Sequence, residues 1–373
     1  MNSKDAGTKI GFLKSLAFAL IPLITIAFML EAGLRFSGIW IEDDGIWWGK
    51  IVHPQLGWDL KPNFSGKNFD WVTDKPGEKA PQYRRTIKIN SAGFRDDNEL
   101  TIEKPDNTVR IFTLGDSCTF GWGVESEDSF AKVLEKKLND SSSDINYQVL
   151  NAGIVGYSSH QGMPLLKHKI LKYSPDIITV AYGWNSHFIF PYSDKEWIKP
   201  VSPLHAGAIN IARQFMIYRG FTEIVKRLNK KSKSELKYRV PPEDLRNNLR
   251  SLIDFASESN IKVVLMTIQS NVLTGQVAKW TLVKHTLDDD KENMISRHKE
   301  INGIIKEVSE EKGTMFTDVA GKFVELKLTE GKELFYRPED AVDDVHPNEE
   351  GHLVIGEELF KTLSREYDIA MRN

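Results

Sequence analysis

In Arg110–Val124, RIFTLGDSCTFGWGV, an apolar run stops at Gly115 and runs straight into Asp116, Ser117 and Cys118. A serine hydroxyl is a weak nucleophile until an adjacent base accepts its proton. That base is usually a histidine steadied by a carboxylate. Nine histidines are available. His168, His285 and His298 fall on charged helical stretches and His352 on the last one, so these read as structural. His346 differs. It lies in AVDDVHPNEEGH, after a loop and just ahead of the final amphipathic stretch, with Asp343 three residues before it and Pro347 behind it. A turn of that length can set a carboxylate on the imidazole Nδ1 while Nε2 faces a serine. The chemistry on offer is acyl transfer through Ser117. An Asp-x-x-His pair taken alone is equally at home in a surface turn.

Such groups need a scaffold, and one begins at Thr108. Apolar runs at 109–115, 147–153, 176–183, 261–268 and 314–319 alternate with helical stretches at 128–140, 160–173, 242–259 and 296–313. The helical stretches space their apolar residues three and four apart, and PEDLRNNLRSLIDFA opens on Pro and two acids, as helices do. Strands alternating with helices imply a parallel sheet covered on both faces. The strand runs are nearly continuous in Val, Ile and Leu, as buried parallel strands require. Insertions at 187–240 and 270–292 leave from the C-terminal side of a strand, where open α/β sheets bind ligands. Either one covers a pocket or is a solvated loop, and the acidic run 288–292 reads as the latter. Within the first insertion, 209–228 has a helical pattern.

The rest of the chain bounds the setting. With 373 residues, 40% hydrophobic, 27% charged and a net charge of −3, the composition is that of a folded globular protein with no basic footprint for nucleic acid. The single cysteine, Cys118, excludes an intramolecular disulfide. Ser15–Leu30 carries no charge, and extending it back to Ile10 adds only Lys14. Residues 10–30 are long enough for one membrane span. A cleaved signal peptide and a buried core helix are the other readings. Glu31 stands where a small-residue cleavage pattern belongs, which favours an uncleaved anchor. Lys4, Lys9 and Lys14 precede the span and WIEDDG follows it, so the positive-inside bias expects a cytoplasmic N-terminus and a periplasmic or extracellular body. Trp40, Trp47 and Trp48 are set to rest at the membrane interface or to pack on the domain. Residues 39–107 are rich in turns, with Lys-Pro pairs marking loops and Arg85–Asn90 alternating like a hairpin strand. The expected organisation is therefore 1–38 as tip and anchor, 39–107 as a β-rich prelude, and 108–373 as the main domain.

Four segments, GDSCTFGWG, NAGIVGYS, GWNS and DDVHPNEEGH, occur in an order and spacing that resemble the sequence blocks of the SGNH (GDSL-type) hydrolase superfamily. The prelude GWDLKPN…NSAGFRD is similar to that of membrane-anchored bacterial members. The resemblance covers roughly 108–365. It implies a flavodoxin-like three-layer α/β/α fold with a five-stranded parallel sheet. It implies Ser117 as nucleophile, His346 as base and Asp343 as its carboxylate. It implies an oxyanion hole from Ser117 N–H, Gly153 N–H and the Asn185 side-chain amide. Donors preorganised in this way stabilise charge on a carbonyl oxygen, and losing one typically costs about 10²–10³ in rate. Ser186 departs from the pattern, which usually places Asp after that Asn. Asp116 reads as a brace for the nucleophile loop, and Cys118 as either a redox switch or, more commonly, a small buried thiol.

The expected activity is an extracytoplasmic serine esterase hydrolysing short-chain acyl esters, with no cofactor and no metal. Its partners are a small-molecule, lipid or carbohydrate ester and, through residues 10–30, a membrane. The alternatives are an O-acyltransferase or O-acetyl esterase on an envelope polysaccharide, a lysophospholipase-type lipid esterase, and a non-catalytic envelope scaffold. Trp122, Trp184 and Tyr157 would line a sugar-binding groove or else pack in the core.

Overall fold

The computed structural model describes residues 3–38, 49–67, 85–336 and 343–367. Trp40, Trp47 and Trp48 lie outside them. In chain order the elements used below are helix α1 (Ser3–Phe36), strand β1 (Thr108–Gly115), helices α2 (Ser117–Phe120) and α3 (Phe130–Asp140), strand β2 (Asn146–Gly153), helix α4 (Ser159–Leu165) and strand β3 (Ile177–Ala181). They continue with helices α5 (Pro203–Ala212), α6 (Met216–Leu228) and α7 (Pro242–Glu258), strand β4 (Lys262–Met266), helix α8 (Lys291–Lys312), strand β5 (Met315–Thr317), and helices α9 (Val319–Glu330) and α10 (Glu349–Tyr367). The chain divides into two compact units, 1–47 with 202–230, and 48–201 with 231–373.

The second unit holds the expected five-stranded sheet. All its pairings are parallel, in the order β5-β4-β3-β1-β2. Ile111 at its centre stands opposite Val149 on one side and Ile177 on the other. Successive side chains leave opposite faces of a strand. Ile111 and Val149 therefore join one core with Phe130, Leu134 and Leu138 of α3, Phe323 of α9 and Val354, Ile355 and Leu359 of α10. Phe112 faces the other way, where its ring stands 5.3 Å from Phe94 and 6.3 Å from Tyr173. The buried positions of α3 recur three and four apart, the spacing that puts one face of a helix on a core. Leu134 and Leu138 are fully buried, each adding roughly 1.5–3 kcal/mol.

This strand order reverses direction between β1 and β3. In doubly wound sheets that switch point opens a crevice at the carboxyl ends of the strands. Ser117 follows β1 and Asn185 follows β3.

Some expected elements come out differently. The stretch 160–173 is no single helix: α4 widens into a π turn over Leu166–Ile170 and tightens into a 3-10 turn over Leu171–Tyr173. Pro164 withdraws one N–H from the ladder just where this begins. Helix α8 starts at Lys291 and not 296, because Asp290 caps it by accepting from Asn293 N–H at 2.9 Å. Within 39–107 the described residues form two short antiparallel pairs, Lys50–His53/Gly57–Leu60 and Ser65–Lys67/Thr86–Lys88.

The first unit contains α1, α5 and α6. Phe18–Phe36 of α1 is apolar enough to cross a membrane, with a mean hydropathy of 1.7. The helical pattern at 209–228 is broken at Arg213–Phe215 into α5 and α6. Glu31 of α1 meets the start of α6, where its Oε1 accepts from Met216 N–H at 3.0 Å and its Oε2 from Ile217 N–H at 3.1 Å. Arg35 donates to Glu31 Oε1 at 2.7 Å and to Gln214 O at 2.9 Å.

Candidate active site

Ser117 is the first residue of α2, a single turn that begins as soon as β1 ends. Asp116 caps the turn. Its Oδ1 accepts from Cys118 N–H at 2.9 Å, and its backbone oxygen accepts from Phe120 N–H at 2.8 Å. At the first helical position Ser117 N–H has no acceptor within the helix. The turn closes at Gly121, whose N–H donates to Ser117 O at 3.1 Å.

The far side of this turn is gripped from the prelude. Arg95 is 1% exposed, and its Nη1 donates to Phe120 O and Gly121 O and its Nη2 to Val124 O, each at 2.6 Å. Its guanidinium carbon also stands 4.8 Å from the Phe120 ring centre. Burial pulls the Arg95 pKa down to about 10, so it stays charged at neutral pH. Sequence reasoning passed over this residue. The signal was present in NSAGFRD, a charged side chain directly after an apolar Gly-Phe pair.

His346 comes from the loop before α10. A bridge between Phe335 and Pro347 holds that loop, and Tyr336 N–H donates to His346 O at 2.8 Å. Asp343 folds it into a tight turn, its Oδ1 accepting from Val345 N–H at 2.8 Å and His346 N–H at 2.9 Å. The other carboxylate oxygen, Oδ2, lies 2.7 Å from His346 Nδ1, and His346 Nε2 lies 2.8 Å from Ser117 Oγ. With the proton on Nδ1, the imidazole donates to Asp343 and accepts from the serine hydroxyl. All three residues are at most 8% exposed. The structure thus brings Ser117, His346 and Asp343 into one hydrogen-bonded chain.

Asn185 sits in a 3-10 turn after β3. Its Nδ2 donates to Tyr157 O at 2.8 Å and, more loosely, to Asp116 Oδ2 at 3.1 Å. Burial raises the Asp116 pKa, partly offset by the Cys118 N–H it accepts. The neighbouring Ser186, which stands where the pattern places Asp, makes only backbone hydrogen bonds among the described residues, its N–H donating to Gly183 O at 3.0 Å. It is 1% exposed, its hydroxyl has no partner among the described residues, and its backbone oxygen accepts from Arg297 at 3.1 Å.

Gly153 does not offer its N–H to a substrate. That N–H donates to Asn151 Oδ1 at 3.0 Å, and a Cβ at Gly153 would lie 2.2 Å from Phe120 N. The glycine is needed for close packing of β2 on α2, which corrects its expected place in the oxyanion hole. The open glycine is Gly156. It has φ +82°, and the nearest atom to its Cβ position is in the Trp58 ring, 3.5 Å away. Its peptide is fixed from the insertion, because Arg239 donates to Gly156 O at 2.9 Å and pairs with Asp194. Asp194 in turn accepts from Ser158 Oγ at 2.6 Å. The second glycine of NAGIVG was the signal.

Trp122, Trp184 and Tyr157 are all at most 6% exposed and belong to the core. Of the histidines read as structural, His285, His298 and His352 are fully buried, whereas His168 is exposed. His298 bridges His187 Nε2 at 3.0 Å and Ile268 O at 2.8 Å. Cys118 is buried, its Sγ donates to Val345 O at 3.4 Å, and burial pushes its thiol pKa up. That is the reverse of what a reactive thiol needs. Among the described residues, no group of three or more His, Cys, Asp or Glu side chains is placed to hold a metal ion.

A sequence model of the GDSL-like Lipase/Acylhydrolase family matches residues 113–354. Similar solved structures include LAE5, an alpha/beta hydrolase enzyme from the metagenome of Lake Arreo, Spain, at 16% identity and a TM-score of 0.44, covering 68% of this chain and 94% of that one. A catalytic mutant of an acetylxylan esterase from Geobacillus stearothermophilus is 16% identical with a TM-score of 0.43, covering 68% and 94%. The psychrotrophic esterase EstA from Pseudoalteromonas is 17% identical with a TM-score of 0.41, covering 70% and 100%. No curated protein matches the sequence.

Proposed function

The chain belongs to the GDSL-like lipase/acylhydrolase family, and from that premise we propose that it is a membrane-anchored serine esterase acting outside the cytoplasm on short-chain acyl esters. The observation that carries the reading is the chain Ser117 Oγ–His346 Nε2 at 2.8 Å and His346 Nδ1–Asp343 Oδ2 at 2.7 Å.

In this reading Ser117 Oγ attacks the ester carbonyl as its proton passes to His346 Nε2, and Asp343 stabilises the imidazolium and fixes its tautomer. The carbonyl oxygen gains negative charge. Ser117 N–H, at the free end of α2, is one donor to it. Asn185 Nδ2 is the second, through the hydrogen now held loosely by Asp116. The third is the N–H of Gly156. Collapse of the tetrahedral intermediate expels the alcohol, which takes the proton from Nε2. A water molecule, deprotonated by the same nitrogen, then attacks the acyl-serine. The acid leaves and Ser117 regains its hydrogen.

Substituting Ser117 by Ala should abolish both hydrolysis of an acetyl ester and labelling by a fluorophosphonate. Labelling that survives the substitution overturns the assignment. Comparing acetyl with longer acyl esters tests the chain-length part of the proposal.

A further inference from the structure

Helix α6 carries an apolar stripe that faces solvent. Phe221, Ile224, Val225 and Leu228 fall at i, i+3, i+4 and i+7, the spacing of one helix face, and are 63%, 58%, 38% and 80% exposed. Within a globular domain such a stripe is buried. On α5, Leu204 and Ile211 are likewise 85% and 67% exposed. On the opposite arc of α6, Lys226 and Arg227 are exposed, Arg227 pairs with Glu223 at 2.8 Å, Arg219 is half-buried, and Lys230 follows after Asn229. A helix with a clean apolar face and a cationic polar face lies in the plane of a membrane interface, especially one bearing anionic lipids.

The anchoring of α6 supplies the second, independent observation. Its first two N–H groups are held by Glu31, a carboxylate within the last two turns of α1, and Arg35 fixes Gln214 O just upstream. An anion on the positive end of a helix is favourable. Arg35 pairs with the same carboxylate at 2.7 Å, so the charge is shared. The apolar window of α1 ends at Phe36, only five residues beyond Glu31. The start of α6 is therefore tied about 7 Å along the helix axis before the apolar window ends. That is the depth at which an interfacial helix belongs.

We propose that α5 and α6 form a membrane-surface platform, with the α6 stripe in the acyl boundary and its basic arc on anionic headgroups. The proposal rests on α1 being a membrane span. The partner is the lipid surface itself.

The test uses the full chain reconstituted into phosphatidylcholine vesicles with and without phosphatidylglycerol. An environment-sensitive fluorophore is placed at Phe221→Cys, at Leu228→Cys and, as control, at Lys306→Cys on α8. Native Cys118 is buried and stays unlabelled. The labels on α6 should shift to the blue and be quenched by a nitroxide-bearing lipid, more so with phosphatidylglycerol, while the control does neither. The extra quenching should vanish in a Lys226→Glu/Arg227→Glu chain. Water-exposed α6 labels on a chain that floats with the vesicles overturn the platform and leave the span intact. A blue shift without lipid quenching means that protein covers the stripe and also overturns it. A chain that does not float removes the span and the platform together.

Discussion

The backbone N–H of Gly153 donates to the side-chain oxygen of Asn151 at 3.0 Å. The two glycines of NAGIVG therefore respond differently to the same change. Gly153→Ala drives a Cβ to within 2.2 Å of Phe120 N and should lower the unfolding temperature or prevent expression. Gly156→Ala meets no steric obstacle and costs about 1–2 kcal/mol for its left-handed backbone. It should leave a folded protein with kcat reduced well beyond that loss of stability. Equal kcat for wild type and Gly156→Ala would remove Gly156 from the proposed oxyanion hole.

Asp343 does two jobs with its two oxygens, one folding the loop and one facing the imidazole. Asp343→Asn keeps acceptor capacity for the loop but favours the wrong imidazole tautomer. A drop of about 10⁴ in kcat is expected, with little change in KM. Steady-state kinetics on an acetyl ester reads this out. Near-normal turnover would make the carboxylate structural only.

Arg95 satisfies three backbone oxygens around the turn that starts at Ser117. Removing it in Arg95→Ala leaves buried acceptors without a donor, costing about 3 kcal/mol. Arg95→Lys should rescue poorly, since an ammonium lacks the planar fork that reaches three carbonyls. Denaturant melts of both variants decide the point. If Lys restores full stability, the fork geometry is irrelevant.

Acid sensitivity should come partly from buried neutral histidines. Burial depresses His352 to about 3 and His298 to about 4, against 6.5 unfolded. Below pH 6.5 the unfolded chain binds protons that the folded one refuses, so stability is complete above that pH and falls on acidification. Each histidine contributes up to about 1.4 kcal/mol per pH unit in that window. His352 Nδ1 accepts from Phe130 N–H, a bond that a glutamine oxygen can replace. His352→Gln should thus flatten the stability–pH slope between pH 6.5 and 5 by close to one proton. An unchanged slope contradicts it.

The sheet was readable in the sequence because buried parallel strands are written as unbroken Val, Ile and Leu runs, and all five lie within a few residues of their expected places. Ser117 stood out because it directly follows Gly115 at the end of a strand run, whereas Asp343 and His346 stood out only through the order and spacing of the four segments. What escaped notice depended on contacts distant in sequence. Arg95 meets its carbonyls some twenty-five residues away. Gly153 and Gly156 carry the same letter, and only the approach of Phe120 to one of them tells their roles apart. The burial of His285, His298 and His352 was not legible, because lysines and glutamates flank them in sequence and flanking residues on a helix point elsewhere. The break between α5 and α6 had no proline or glycine to announce it.

The excursion that carries α5 and α6 departs and rejoins through a narrow neck. Ile189 pairs with Tyr238 and Phe190 with Lys237, two antiparallel rungs that bring its ends side by side. The entropy of closing the loop is met at those rungs. Beyond them, each doubling of length costs only about 0.6 kcal/mol. The neck therefore works as a grafting point, at which chain can be lengthened, shortened or exchanged while β3 and β4 keep their register.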